Sequence, residues 1–580
     1  MFKTNKTKII ATLGPSSDRE EDILSLIEAG VDVARINLSH GDRASHSHLI
    51  ATVKHSRDVS GKGTAILLDT RGPEIRVGEL GAGIMLEEGG TVTFSNKGTT
   101  GKEIPTNYDK LSQDVGPGDF ILLDDGKMRL LVLGTRDGEL TARTIVGGLL
   151  QSRKRVSLPD VDVNLPSITD QDEADIIFGV QQGVDFIAAS FVRRADDVWE
   201  VRKVIEKAGG NQAIIAKIEN RQGVDNLQDI LEAADGLMVA RGDLGVEMPA
   251  EEVPVLQKKI IKEANKVGKP VITATQMLES MIFSPTPTRA EASDVTNAIF
   301  DGTDAVMLSG ETAVGKYPLE AVRFLARNAR ISEAALDYEA ILAEGLRHRR
   351  PIITDAISYA SCATAADLSA DAIITATTTG STALRVARYR PKTPIIAISS
   401  SHASLRKLQL VRGVIPLEGV FAETMDEQLN NVIRTAIQAE LLTNGDVVVI
   451  TAGLPLQTSG TTNMLKVHTV ADVCFTGQGI GKKNVSGTIR IINSVQDWEN
   501  LPTKPIIVIT KSDQSMLSYI SQAVGIIAEA PGLTSHAAMV GRELSIPVIC
   551  DVTQATIHLR NGQMVTLNPK LGQIYYGTHE

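Results

Sequence analysis

Aromatic residues are scarce in this chain, at 4% of 580 with only two Trp. Proteins that hold single-stranded nucleic acid stack its bases on aromatic rings, so no such platform is expected. An excess of positive charge is also missing. Lys and Arg total 59 against 70 Asp and Glu, a net charge of −11, which excludes the broad basic footprint of a nucleic-acid binder. Any anion site must be built locally. The three cysteines, Cys362, Cys474 and Cys550, are too few and too far apart for a disulfide framework or a CxxC metal site, and read as small buried hydrophobes. No window reaches the ~18 apolar residues of a membrane span. The opening MFKTNKTKIIATLGPSS runs from basic residues straight into a short apolar strand, with no signal-peptide core or cleavage site. No membrane association and a cytoplasmic location are expected.

What is present is a repeated alternation. Short β-branched runs occur at 8–14, 33–38, 65–70, 185–191, 213–219, 236–241, 270–275 and 305–310. Amphipathic stretches with apolar residues at i, i+3 and i+4, such as DREEDILSLIEAG and PVLQKKIIKEANKVG, lie between them. Eight such units predict an α/β fold with a (β/α)8 barrel over 1–71 and 168–342; an open doubly wound sheet is the alternative. Residues 72–167 break the pattern with Gly-rich turns between short strands, and predict a small β-barrel domain inserted after the third strand as a lid. A second α/β block follows over 343–475, with strands at 371–377, 394–399 and 446–453. After the glycine-rich TGQGIGKKN, residues 476–580 form a further unit.

Polar residues close nearly every barrel run. Arg35 and Asn37 end the second, Asp69 and Thr70 the third, Ser190 the fourth, and Lys217 with Glu219 the fifth. Arg241 and Asp243 follow the sixth, Thr275 ends the seventh, and Ser309 with Glu311 ends the eighth. Barrel interiors are packed with branched apolar residues, and chemistry sits at the C-terminal face, so these side chains should converge on one mouth. Glu219 and Asp243 suit Mg²⁺ or Mn²⁺, which take oxygen ligands, although salt bridges to Lys217 and Arg241 would also account for them. Lys217 and Glu219 alternate with Ile218 and share one side of the strand. A lysine there stabilises a transferring phosphoryl group or an enolate, or else forms a Schiff base. The anion-binding reading also uses Arg35 and Arg76; the Schiff base explains fewer of these groups. Only His40 of the ten histidines lies in a strand-end motif, so hydroxyls such as Thr275 and Ser309, or water, are left to deliver a proton.

The segments ARINLSHG (34–41), LLDTRGPEIR (67–76), AKIENRQG (216–223), VARGDLGVE (239–247), TATQMLESM (273–281) and MLSGETAVGKYP (307–318) resemble those of pyruvate kinases, a likeness that spans residues 1–475. The resemblance implies transfer of the phosphoryl group of phosphoenolpyruvate to ADP, then protonation of the enolate to pyruvate. By position it implies Lys217, Arg35, Thr275 and Ser309 as catalytic residues, with Gly242 and Asp243 also contacting substrate. It implies Glu219 and Asp243 as Mg²⁺ ligands, and Asn37, Ser39, Asp69 and Thr70 as the K⁺ site. Asn37, Leu38, Ser39, His40, Arg76 and Lys154 match its nucleotide contacts. In this family a carboxylate at the position of Glu74 goes with K⁺ dependence. One departure is KRVSLPD (154–160) where the family has KGVNLPG, so Arg153 or Arg155 could take the place of Lys154. A lyase acting on phosphoenolpyruvate or pyruvate would leave the lid and Arg76 without a task, and a non-catalytic metabolite sensor would have no need of the mouth residues.

Thr377, Thr378, Thr379, Gly380, Ser381 and Thr382 form a turn at a helix start that suits a phosphate or is an ordinary N-cap. The resemblance implies a phosphorylated allosteric effector there, with LPLQTSGTTN (454–463) closing over it. Ser381 replaces an arginine of some members, which favours AMP or a sugar monophosphate over fructose 1,6-bisphosphate. A homotetramer is implied too. PGLTSHAAMVGRELSIP resembles the swivelling phosphohistidine domain of phosphoenolpyruvate-utilising enzymes, with His536 at the carrier position, although a structural or regulatory role suits a chain with no ATP-grasp-like partner.

Overall fold

Eight parallel strands close into a barrel in the computed structural model of the chain, which describes residues 5–95, 103–136, 138–422, 424–443, 445–453, 461–470, 473–498 and 501–577. The strands are β1 (Lys8–Thr12), β2 (Val33–Asn37), β3 (Ala65–Asp69), β4 (Phe186–Ala189), β5 (Ala213–Ile218), β6 (Gly236–Ala240), β7 (Val271–Ala274) and β8 (Ala305–Leu308). Each pairs with its neighbours in sequence, and β1 pairs with both β2 and β8, which closes the ring. The doubly wound alternative is thereby excluded. Successive side chains alternate between two cores. Ile10, Leu67, Ala188, Ile215 and Ile272 fill the interior, while Ile9, Leu68, Ile187, Ile214 and Val271 pack outward. The outer ring includes Glu20–Ala29, which buries Ile23, Leu26 and Ile27, and Val253–Val267, which buries Ile260, Ile261 and Ala264.

Four aspartates just before strands share one task. Asp32, Asp185, Asp235 and Asp304 each accept the backbone N–H of a residue on the neighbouring strand: Ile9, Ile66, Ile214 and Val271. They rim the N-terminal end of the barrel, where the α/β block docks. Arg406 donates to Asp185 at 2.6 Å, Arg390 to Asp304 at 3.0 Å, and Leu410 joins the barrel's interior cluster.

The insertion leaves from the C-terminal end of β3. Its strands form a six-stranded antiparallel sheet and a two-stranded ribbon on one apolar core that includes Ile121, Leu130 and Leu140. The α/β sheet has the order 414–418, 395–399, 372–376, 447–452, 464–469. By internal packing the chain divides into two units, one of residues 1–438 with 449–466 and one of 439–448 with 467–580. In the second, strands 485–492, 505–509, 525–528 and 548–550 pair in parallel at the centre of an eight-stranded sheet with antiparallel flanks.

The helix Asp170–Gln181 crosses close to β3 and β4 at Gly179, where an added Cβ would lie 2.6 Å from Leu68 Cδ2 and 3.1 Å from Ile187 Cδ1. Gly179→Ala is expected to destabilise the barrel by about 1–3 kcal/mol through overpacking, read as a lower urea midpoint. An unchanged midpoint would show that the helix can shift without cost.

Candidate active site

The barrel strands end one or two residues before the polar runs do, and this places the polar side chains on the turns of the C-terminal mouth. Asn37 and Asp69 are the last residues of β2 and β3 and are register partners. Lys217 lies within β5, and Glu219, Thr275 and Ser309 follow their strands directly. Asp243 sits in the first turn of the helix Arg241–Glu247.

A buried charge cluster occupies the centre. Lys217 Nζ donates to Ser190 Oγ at 2.7 Å and lies 3.1 Å from Asp69 Oδ1 and 3.0 Å from Glu219 Oε1. Arg35 Nε donates to Asp69 Oδ2 at 2.8 Å, and its Nη1 to Thr12 Oγ1 at 2.9 Å. Enclosure alone would lower the pKa of Lys217, but Asp69, Glu219 and Asp243 outweigh it and raise the value, so the amine is held as a cation. Asp69 responds in the opposite sense: burial works against its charged form, yet Lys217 and Arg35 prevail and lower it. A Schiff base needs a neutral amine, and these surroundings oppose one.

Glu219 is fully enclosed. Its Oε2 accepts the Phe191 N–H at 2.6 Å, whereas Oε1 lies beside Lys217 but off the line of a hydrogen bond. Burial raises its pKa, Lys217 opposes the rise and Asp243 adds to it. Two carboxylates at the mouth, one of them enclosed with only Lys217 beside its Oε1, are hard oxygen donors, so Glu219 and Asp243 fit Mg²⁺ or Mn²⁺. Among the described residues no group of three or more His, Cys, Asp or Glu could form an all-protein cage, so substrate or water oxygens would have to complete the shell.

Asp243 has a partner brought from the insertion. Arg155 Nη1 donates to Asp243, its Nη2 lies 3.5 Å from Glu247, and its guanidinium lies 4.7 Å from the centre of the Phe191 ring. Lys154 turns away, to Asp124 at 2.7 Å, and Arg153 pairs with Glu79. Arg155 is therefore the residue of that segment that reaches the mouth. Arg76 pairs with Glu74 and donates to the Arg153 carbonyl at 2.9 Å. Leu38 is buried, while Ser39 and His40 lie exposed on the turn after β2, where Asn37 Oδ1 accepts the Ser39 N–H. The Thr70 carbonyl accepts from Ser190 Oγ at 2.7 Å.

Thr275 adopts φ 65°, an outlier for a β-branched residue. Its carbonyl is gripped by Arg241 Nη2 at 2.6 Å, Arg241 is anchored on Asp294, and the Gly242 N–H donates to Thr275 Oγ1 at 2.8 Å. The side chain is thus held in a strained, fixed place, a feature that clusters at active sites. Ser309 Oγ is buried with no hydrogen-bond partner among the described residues.

Residues 4–322 match the pyruvate kinase barrel domain and 355–468 the pyruvate kinase alpha/beta domain. A pyruvate kinase of Geobacillus stearothermophilus is 48% identical over 579 residues, and one of Staphylococcus haemolyticus is 46% identical, each alignment covering 99% of both chains. The chain belongs to the pyruvate kinase family. It is an enzyme of that family, and its tail, over 501–572, matches the mobile domain of phosphoenolpyruvate-utilising enzymes. No helix among the described residues is long and apolar enough to cross a membrane.

Away from the pyruvate kinase mouth, Thr377 Oγ1 accepts the Gly380 N–H at 3.0 Å, and Thr462 Oγ1 donates to Thr382 Oγ1 at 3.1 Å. Residues 454–460 of the segment expected to close over that turn lie outside the described residues. His536 begins the helix His536–Glu543, with its Nδ1 2.9 Å from Ser512 Oγ. Two side chains at the mouth went unnamed in the sequence reading. Thr12 is the polar last residue of β1, and Glu247 lies four residues beyond Asp243 on one helix face, a spacing that places it alongside.

Borohydride trapping in the presence of pyruvate is expected to leave Lys217 unlabelled by mass spectrometry. A covalent pyruvyl adduct at Lys217 would contradict its assignment as a held cation.

Proposed function

We propose that the mouth transfers the phosphoryl group of phosphoenolpyruvate to ADP and protonates the resulting enolate, giving pyruvate and ATP. The observation that carries this reading is Lys217, kept cationic between two buried carboxylates and next to Arg35. Phosphoryl transfer needs little covalent help; positioning and neutralisation of spreading negative charge do most of it. Arg35, braced by Asp69 and Thr12, would hold the substrate phosphate, and Lys217 would stabilise the phosphoryl group in flight. Gly242, Asp243 and Thr275 would receive the substrate carboxylate. Thr275 and Ser309 supply the hydroxyls for passing a proton to the enolate carbon. The nucleotide would meet Asn37–His40, Arg76 and Lys154, with Arg155 closer to the reacting centre than Lys154.

Glu219 and Asp243 would hold Mg²⁺ or Mn²⁺, and Asn37, Ser39, Asp69 and the Thr70 carbonyl K⁺; bound cations there supply neutralisation of phosphoryl charge. The domain division is proposed as 1–71 with 168–342, 72–167, 343–475 and 476–580, in a cytoplasmic homotetramer. The 377–382 turn would take AMP or a sugar monophosphate as effector, and His536 would serve structure or regulation.

Pyruvate formation from phosphoenolpyruvate and ADP with Mg²⁺, with and without K⁺, tests this directly. Turnover that requires both ions is expected; full activity with no monovalent ion would contradict the role given to Glu74, and none in folded protein with both ions would contradict the whole. Arg155 competes with any cation for Asp243. Arg155→Gly should therefore tighten Mn²⁺ binding in the absence of substrates by about 3- to 10-fold, read from the free Mn²⁺ signal by electron paramagnetic resonance. Weaker or unchanged binding would show that Arg155 is no competitor.

A further inference from the structure

A cavity of about 780 Å³ lies where outer helices of the barrel meet the segment that leads into the α/β block. The helix Val253–Val267, the end of the helix Arg289–Asp301 and the helix Tyr338–Arg347 form its walls. The last of these leads from the barrel into the α/β block and buries none of its residues. Ile299, Phe300, Leu336 and Ile341 give the walls apolar surface, and the α/β block adds Tyr389, Arg390 and Arg412. The volume lies within the range of small-molecule sites.

Two buried arginines line this apolar space. Arg412 is 4% exposed and Arg390 9%. Arg390 Nη2 is shared between Asn265 Oδ1 at 2.5 Å and Asp304 Oδ2 at 3.0 Å. Its Nε and Nη1 are buried with no hydrogen-bond partner among the described residues. Arg412 bonds to the Tyr338 side chain, yet its Nε and Nη2 are likewise without a partner. The neighbouring carboxylate, Glu333, accepts the backbone N–H groups of Lys6 at 3.0 Å and Thr7 at 2.6 Å. Burial pushes Lys6 down to about 8, with Arg412 acting in the same direction and Glu333 against it. Buried donors are nearly always paired, so four unpaired nitrogens on two arginines of one cavity point to an acceptor from outside the chain.

The lining limits what that acceptor is. A guanidinium fork matches a planar carboxylate, and the apolar walls match a hydrocarbon body. The three carboxylates of the lining are already engaged. Asp301 takes Lys258 and Gln257, Asp337 takes the Ala340 N–H, and Glu344 takes Arg347 and His348. None is left to receive the ammonium of an amino acid. We propose that this cavity binds an organic monocarboxylate of about eight carbons, with its carboxylate on Arg412 and Arg390 and its tail against Phe300 and Ile341. Such a ligand would touch the barrel, the helix Tyr338–Arg347 and the α/β block at once. The site does not rest on the phosphotransfer reading of the mouth.

Calorimetric titration of the full chain with octanoate tests it, with acetate, 1-octanol and 2-aminooctanoate as comparison probes. Octanoate is expected to bind. The others should bind at least ~10-fold more weakly, for want of a tail, of a charge and of a partner for the ammonium. Arg412→Gln should weaken octanoate binding at least ~10-fold through lost charged hydrogen bonds. Phe300 is 49% exposed, so Phe300→Glu should leave the fold intact. It should weaken binding at least ~3-fold by setting a carboxylate beside the tail. Circular dichroism checks both folds; if Arg412→Gln does not fold, Phe300→Glu and the comparison probes decide. No binding at ~10 mM octanoate, or wild-type affinity in the folded variants, would overturn the site. Acetate, 1-octanol or 2-aminooctanoate bound as tightly as octanoate would overturn the ligand class.

Discussion

The architecture of the mouth depends on one ammonium group. Lys217 is enclosed, and removing a charge from water is affordable only where opposite charge meets it at hydrogen-bond distance. Asp69 and Glu219 do so from β3 and from the end of β5, and Arg35 on β2 keeps Asp69 charged in turn. Three strands of the barrel are thus tied in register by side chains that have no packing role. The same arrangement fixes Lys217 as a cation and keeps Glu219 Oε1 facing it in an ion pair. Polarity placed this way is poor economy for stability and is suited to chemistry on anions.

The two ends of the barrel use charge differently. At the N-terminal rim, aspartates are satisfied by backbone N–H groups and by cations, two of them, Arg390 and Arg406, from the α/β block, and the result is a docking surface. At the C-terminal mouth, carboxylates are satisfied by cations that a substrate or a metal ion could displace or share. Arg155 belongs to this second kind. It reaches in from the insertion and holds Asp243 and Glu247, so the inserted domain is part of the electrostatics of the site.

Much of this was legible in the sequence because the fold is periodic. Alternation along the eight runs gave the barrel, and the polar residues that broke each run gave the mouth. The runs overshot the strands by one or two residues because polar turn residues continue the extended pattern for a short way. What stayed hidden was pairing across long separations. No spacing rule shows that Arg155, rather than Lys154, meets Asp243, since a single residue of twist in the insertion decides which side chain turns inward. The strand at 485–492 was obscured by Gly487, which sits where Lys504 O approaches too closely for a side chain.

The account centres on Lys217 as a fixed positive charge for the phosphoryl group in transfer. Turnover of phosphoenolpyruvate and ADP by Lys217→Met, in protein shown by circular dichroism to be folded, measures that charge most directly. A fall of at least ~10³-fold in kcat, with little change in KM for phosphoenolpyruvate, is predicted for a group that acts mainly in the transition state. A folded variant that keeps wild-type kcat would contradict it.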